Sequence, residues 1–163
     1  GRAAYFSKYD IVRDDYRAVM ASCALPGFCR PVKVGDRYYY DGGVADSIPL
    51  HHAIEQGCTK MVVILSNPRN FVKKPEAHRP LYKHMLHKYP KTIQSIDNRH
   101  INYQASIDLA CRLEKEGYVF IFAPSRHMPL STFSKDAALE QDLYDLGVAD
   151  YEARAEELKH FLN

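Results

Sequence analysis

Long hydrophobic runs, a signal-like start and paired cysteines are all missing from this 163-residue sequence. The longest strongly apolar run, Met61 to Leu65, is far shorter than the ~20 residues that a membrane-spanning helix needs. The chain does not begin with the basic and then apolar residues of a secretory signal peptide. No C-x-x-C pair occurs, and each cysteine lies in apolar or helix-like surroundings. We therefore expect buried, reduced thiols in a soluble cytoplasmic protein, at Cys23, Cys29, Cys58 and Cys111.

A strong charge of one sign is also absent. The formal net charge of +2 is too small to indicate a nucleic-acid partner, and we expect none. The charges are nevertheless unevenly spread: residues 69–91 hold seven Lys or Arg and a single acid, whereas residues 136–157 hold eight acids and one Arg. Two interpretations of the basic segment stay open. It could contact anionic phospholipid headgroups as a peripheral membrane surface, or it could be a solvated connection that pairs with acidic helices of the same chain.

The pattern of apolar residues and turn residues predicts an α/β fold, with helices and strands interleaved along one compact chain. The predicted strands are Tyr5–Val12 (weak), Val32–Val34, Arg37–Tyr40, Lys60–Ser66 and Tyr118–Ala123. The predicted helices are Tyr16–Leu25 after an Asp14-Asp15 cap, Ile48–Gln56, Leu81–His87, Lys91–Glu116 and 136–162 with a break near Gly147.

The most unusual stretch places an acid, Asp41, at the end of a predicted strand and directly before Gly42 and Gly43. Two glycines allow another backbone or a ligand to come close, so a carboxylate there is placed to face a cleft. An Asp-Gly pair that merely reverses the chain is the alternative for this stretch taken alone.

The residues around this stretch favour the first interpretation. Together they resemble the second catalytic block of patatin-like phospholipases: Ala21-Ser22-Cys23-Ala24-Leu25-Pro26-Gly27-Phe28, Pro31-Val32, Tyr40-Asp41-Gly42-Gly43-Val44 and Pro49. The resemblance implies a three-layer α/β/α sheet domain that cleaves lipids or other acyl esters without a metal ion or other cofactor. It also implies that Asp41 partners a serine in a dyad without histidine, with Gly42 and Gly43 shaping its loop. Ser47 stands where family members often carry Asn, so its role is left open.

The resemblance covers nearly the whole chain, because residues 91–163 look like the C-terminal extension of the bacterial branch of the family. It implies three segments: 1–67 as the C-terminal part of the catalytic domain, 68–90 as a basic connection, and 91–163 as an α/β extension with additional C-terminal helices.

Two parts of the catalytic machinery are missing from the sequence: it contains no G-x-S-x-G nucleophile elbow and no glycine-rich oxyanion loop. In the family both lie upstream, so we expect a missing N-terminal half to supply them and this chain alone to be inactive. A sheet without its central strands would expose an edge, through which two copies could pair. The alternative function is a catalytically silent binding or regulatory module with the same fold.

Other candidate residues are weaker. The adjacent residues His51 and His52 cannot share one helical face, and the pair His84 and His87 has no thiol or carboxylate partner in the sequence. We therefore interpret all four as surface or loop residues. Ser22 lacks the flanking glycines of a nucleophile elbow, and Ser66 is typical of a turn cap after a strand.

Overall fold

The computed structural model describes residues 1–129 and 135–163, which form a mixed α/β fold as the sequence predicts. In chain order the helices are α1 (Arg17–Ser22), α2 (Leu50–Glu55), α3 (Arg79–Met85), α4 (Pro90–Lys115) and α5 (Ala137–Leu162). The strands are β1 (Val32–Val34), β2 (Arg37–Tyr39), β3 (Met61–Ile64) and β4 (Val119–Phe122), and a short 3-10 helix spans Gly42–Val44.

The described residues group into two compact units that interleave along the chain. The first unit comprises residues 1–49 and 73–106, and the second comprises residues 50–72 and 107–163. Each unit contains one two-stranded sheet, so the described residues do not themselves form the larger three-layer sheet that the resemblance implies. The predicted division into segments 1–67, 68–90 and 91–163 stays a prediction.

The first unit is built around the predicted hairpin, which the structure confirms. Strands β1 and β2 pair antiparallel with Val32 opposite Tyr39. The turn between them needs Gly35, whose φ of +59° lies in the left-handed region that L side chains rarely adopt. Beside the hairpin lies a small core that joins the 3-10 helix to α3 and α4. It consists of Val44, Leu86, Ile93 and Ile96, with Tyr40 and Tyr82 packed against it.

The predictions for the first 25 residues need correction. Residues Tyr5–Val12 form no strand, because Asp10 Oδ2 accepts hydrogen bonds from both the backbone N–H and the hydroxyl of Ser7, at 2.7 Å each. Such local side-chain bonds hold the backbone in a turn instead of a ladder. Helix α1 is shorter than predicted, and its N-cap residue Tyr16 makes no side-chain capping bond. The predicted role of the Asp14-Asp15 pair is confirmed in part, because Asp15 Oδ1 accepts the N–H of Arg17, the first residue of α1, at 3.1 Å.

The second unit contains the parallel pair β3 and β4, in the register Met61 opposite Val119. The structure therefore confirms the predicted strand and shows that it is parallel to β4. An apolar run of this kind is typical of a parallel strand covered on both faces, but that expectation is wrong here, because Val62 and Ile64 are exposed on β3. Strand β4 is buried along most of its length, and α5 covers one of its faces: the rings of Phe120 and Phe161 lie 5.7 Å apart.

The two outer edges of this sheet differ. At the β4 edge, the Ile121 N–H donates to Glu114 Oε1 at 3.1 Å, and the Ile121 carbonyl accepts from Arg69 at 3.0 Å. Side chains therefore satisfy the backbone of Ile121 at the edge of β4. At the β3 edge, the alternation of a parallel ladder directs the backbone groups of Val62 and Ile64 away from β4. In the part of the chain that the structure describes, these groups have no hydrogen-bond partner, so the β3 edge is open.

Helix α5 also differs from its prediction. It runs without interruption from Ala137 to Leu162, so the break expected near Gly147 is absent from this described segment. Its start agrees with the prediction, since Asp136 caps it by accepting bonds from the N–H groups of Ala138 and Leu139.

The cysteines are free, as predicted, but they are not buried. Cys23, Cys29 and Cys58 are exposed, and Cys111 is half-buried. Three of them lie in short helix ends and loops, where the surrounding apolar residues do not enclose them. Within residues 1–129 and 135–163, no helix combines the length and the apolar character needed to cross a bilayer.

Candidate functional site

The candidate site is the loop that follows β2, in the first unit. Asp41 caps the 3-10 helix Gly42–Val44, and its Oδ1 accepts a hydrogen bond from the backbone N–H of Gly43 at 2.7 Å. A half-buried carboxylate thus lies at the end of a strand, held by the loop that it begins. This is the position that the sequence pattern predicted for it.

The structure brings this loop together with the block that precedes it in the resemblance. The Asp41 N–H donates to the carbonyl of Ala24 at 3.0 Å, just beyond the end of α1. Ser22 Oγ also lies beside the loop, 3.9 Å from the position that a Cβ on Gly42 would take. The two quoted blocks therefore form one local structure, although 13 residues separate Gly27 from Asp41.

The two glycines contribute differently. A Cβ on Gly43 would lie 3.1 Å from Asp41 Oδ1, so the carboxylate would have to shift by a few tenths of an ångström, whereas a Cβ on Gly42 would make only ordinary contact. The expectation that glycine allows a close approach therefore applies to Gly43, and the group that approaches is the carboxylate itself. Neither residue has a positive φ, so backbone strain is not the reason for glycine here.

The carbonyl of Gly43 is fixed from the other side by two side chains. Ser47 Oγ donates to it at 2.6 Å, which gives Ser47 a contact in the loop that the sequence left open. Arg99 Nε, from α4, donates to the same oxygen at 3.0 Å. Sequence reasoning missed Arg99, because it lies 56 positions after Gly43 and no motif connects them.

An apolar floor supports the loop. Val44 is only 6% exposed and packs with Ile93 and Ile96 of α4. On the other side of Asp41, the Tyr40 ring meets the Tyr89 ring edge-to-face with centroids 5.5 Å apart, and burial raises the pKa of the Tyr40 hydroxyl. Asp41 is therefore flanked by two packed residues, which limits how far its backbone can move.

The Asp41 carboxylate keeps capacity for a further hydrogen bond. Among the residues that the structure describes, it forms no salt bridge, and its one side-chain hydrogen bond is the bond to Gly43 through Oδ1. A carboxylate oxygen left available in this way can accept the proton of a hydroxyl within hydrogen-bond reach. The loop can therefore serve a nucleophile that another segment brings to it.

The weaker candidates do not assemble into a second reactive site. His52 lies 3.9 Å from Glu55 on α2, and the His84 and His87 rings lie 6.4 Å apart at the end of α3. Within residues 1–129 and 135–163, no group of three or more His, Cys, Asp or Glu side chains is arranged to hold a metal ion.

The second unit contains an apolar cavity of about 300 Å³. The exposed face of β3, the end of β4 and helix α5 line it, with Asp150 as its carboxylate. That carboxylate already accepts the N–H of Ser125 at 2.9 Å. The cavity offers apolar surface but no arrangement of groups for hydrolysis.

Comparisons with known proteins agree with the resemblance over part of the chain. A family model described as "Patatin-like phospholipase" matches residues 12–54, which include the loop of Asp41. A second model, "Domain of unknown function (DUF6363)", matches residues 89–163. The "Uncharacterized protein YjjU" of Escherichia coli (strain K12) is 39% identical over 59 residues, which are 36% of this chain and 16% of that protein. No solved structure matches the chain.

These matches confirm the coarser part of the sequence prediction: residues 12–54 carry a patatin-like phospholipase segment, which suggests hydrolysis of lipids or other esters. They do not support the finer prediction that the chain is specifically the C-terminal part of such a domain. The match to the second model includes all of α4, and therefore Arg99.

Proposed function

We propose that this chain contributes the aspartate of a Ser-Asp dyad in a patatin-like acyl hydrolase that acts on lipids or other acyl esters. The observation that carries the proposal is the loop geometry: Asp41 Oδ1 is held by the Gly43 N–H while the carboxylate can still accept another bond. The match of residues 12–54 to the patatin-like phospholipase model supports the same function independently.

In the proposed mechanism, Asp41 accepts the proton of a serine hydroxyl as the serine oxygen attacks the acyl carbonyl. The proton then passes to the departing alcohol, and an acyl-enzyme remains. Water attacks this ester with Asp41 again accepting a proton, which releases the acid and restores the serine hydroxyl. No cofactor is needed for these steps.

The serine and the oxyanion donors must come from polypeptide outside residues 1–163, because the sequence contains no G-x-S-x-G. The test is to determine the residues encoded before Gly1 and to assay a polypeptide that contains them. A G-x-S-x-G after an apolar strand, with ester hydrolysis that is lost on Ser→Ala, supports the proposal. Absence of that motif favours the second candidate, a silent binding or regulatory module.

We propose further that the basic segment 69–91 contacts membranes from the cytoplasmic side. Where the structure shows a partner, its cations pair with acids of the same chain, as Arg79 does with Asp97 on α4. On α3, Leu81 and Met85 are 59% and 47% exposed and lie one turn apart, in a helix whose last turn also carries Lys83. An exposed apolar pair beside basic side chains is suited to an anionic lipid surface.

Liposome sedimentation tests this contact. We expect the chain to sediment with vesicles that contain anionic lipid and to stay in solution with neutral vesicles, and we expect Leu81→Ser to weaken sedimentation. Ile101→Ser, at a 58% exposed position on α4, is the matched control. Equal recovery in the supernatant with both vesicle types would contradict the proposal.

A further inference from the structure

The peptide unit of Gly43 connects Asp41 to α4. Its N–H donates to Asp41 Oδ1 at 2.7 Å, and its carbonyl accepts from Arg99 Nε at 3.0 Å. The carboxylate and the guanidinium are also close in space. Asp41 Oδ1 and Arg99 Nη2 lie 3.1 and 3.9 Å from the same point, the position that a Cβ on Gly43 would take.

The guanidinium of Arg99 is itself fixed. Its Nη1 donates to Glu76 Oε1 at 3.2 Å, and the Lys73 ammonium lies 3.4 Å from the same oxygen. With Nε on Gly43 and Nη1 on Glu76, the planar fork is held at two points. A hydrogen bond from a charged donor is stronger than one between neutral groups, so the bond from Arg99 Nε restricts the rotation of the Gly43 peptide.

We infer that Arg99 is a positioning residue for Asp41. It holds the Gly43 peptide in the orientation that keeps the N–H on Asp41 Oδ1, and thereby fixes where the carboxylate meets its substrate hydroxyl. The catalytic part of this inference rests on the proposed function. Arg99 lies in the segment 89–163, whereas Asp41 lies in the segment 12–54. The inference therefore also assigns a role to the segment 89–163, which supplies a side chain that holds the loop of the patatin-like segment.

The residue type fits this role. Lysine could donate one bond to the Gly43 carbonyl, but it could not hold Gly43 and Glu76 at once with a rigid fork. Arg99→Lys should therefore keep part of the restraint on the Gly43 peptide, and Arg99→Met should lose this restraint. Arg112→Met is a matched control, because Arg112 is an exposed arginine on the same helix with no recorded side-chain bond in the described residues.

Amide hydrogen exchange in the 163-residue chain tests the positioning directly, without any need for activity. We expect Arg99→Met to speed exchange of the Gly43 amide by about tenfold, as for loss of a charge-assisted hydrogen bond. Arg99→Lys should give a smaller increase and Arg112→Met none. Exchange of the Ile96 amide, on the buried face of α4 in the same unit as Gly43, should stay unchanged and thereby show that this unit is still folded.

Unchanged exchange at Gly43 in Arg99→Met would overturn the inference. If that variant does not fold, Glu76→Ala replaces it, because this change removes the acceptor that holds Arg99 Nη1 and leaves Arg99 in place. Faster Gly43 exchange in Glu76→Ala then supports the inference, and unchanged exchange overturns it.

Kinetics of the longer polypeptide with its serine separate positioning from mere structural support. For correctly folded enzyme, we expect Arg99→Met to lower kcat about tenfold with KM unchanged, and Arg99→Lys to restore part of it. An unchanged kcat would overturn the catalytic part. If Asp41→Asn leaves hydrolysis intact, the proposed function fails, but the exchange result for Gly43 still decides whether Arg99 holds the loop.

Discussion

The Asp41 carboxylate accepts the backbone N–H of Gly43 at 2.7 Å, and a methyl group on Gly43 would lie 3.1 Å from the same carboxylate oxygen. The residue that holds the carboxylate is thus also the residue that leaves room for it. This relationship gives a steric reason for glycine at position 43 that does not apply at position 42.

Substitution of the two glycines tests this explanation. Gly43→Ala should displace the Asp41 carboxylate and lower the free energy of unfolding by about 1–3 kcal/mol, as overpacking does. Gly42→Ala should lower the free energy of unfolding much less, because its added Cβ would lie no closer to another atom than 3.9 Å, the distance to Ser22 Oγ. Urea unfolding of the two variants measures the difference. Equal destabilisation by both would contradict this account of the loop.

A second prediction concerns the pair of Asp97 with Arg79. The hydrogen bond from Arg79, followed by the bond from the Tyr82 hydroxyl, lowers the pKa of Asp97 to about 2. Since the folded-state pKa lies below the unfolded value of about 3.9, the pair stabilises the fold above about pH 4 and loses this effect as the pH falls toward about 2.

Carboxyl NMR titration checks the second prediction. In Arg79→Gln, the Asp97 midpoint should rise toward the ordinary value of an aspartate. Lys83→Gln is the control, because Lys83 is the weakest recorded influence on Asp97, and it should change the midpoint little. A midpoint near the ordinary value in the unsubstituted chain would show that the pair is not formed in solution.

A third prediction follows from the two edges of the parallel sheet. Glu114 and Arg69 satisfy the backbone of Ile121 at the β4 edge, whereas the β3 edge is open and Ile64 is 79% exposed. An open, apolar strand edge favours pairing with another strand. We therefore propose that two copies of this chain pair through β3, as the sequence already led us to expect.

Size-exclusion chromatography over a range of concentrations tests the pairing. The chain should elute as a dimer at high concentration, and Ile64→Lys should elute as a monomer because a charge on the edge opposes pairing. Ile101→Lys, at an exposed position on α4, should still elute as a dimer. A monomer at every concentration of the unsubstituted chain would rule this dimer out.

Local patterns in the sequence predicted much of the fold. The hairpin, both strands of the parallel pair and the long helix α4 lie where apolar periodicity and turn glycines placed them, with ends shifted by a few residues. Gly57 and Gly117 end helices with φ of +83°, as expected of glycine after a helix. The predictions were wrong where a local sequence preference was outweighed by packing or by a local side-chain hydrogen bond. The Asp10 side chain overrode the strand pattern around Tyr9, and α5 continues through Gly147 despite its low helix propensity.

The candidate site was predicted only in part. The position of Asp41 and the closeness of its two glycines followed from the motif. The contacts of Ser47 and Arg99 with the Gly43 carbonyl could not be predicted from the motif, because they depend on the folded loop and on how α4 packs beside it. A hydrogen bond between residues 56 positions apart leaves no signal in the spacing of a single sequence.

The most direct test of the central claim is the rate of ester hydrolysis by the longer polypeptide with and without Asp41→Asn. The account predicts that this change lowers kcat by about a hundredfold or more, as loss of a general base does, while the melting temperature stays the same. Asp36→Asn, an equal change of charge in the exposed turn of the hairpin, should leave the rate unchanged. Hydrolysis by Asp41→Asn at the rate of the unsubstituted protein would contradict the account.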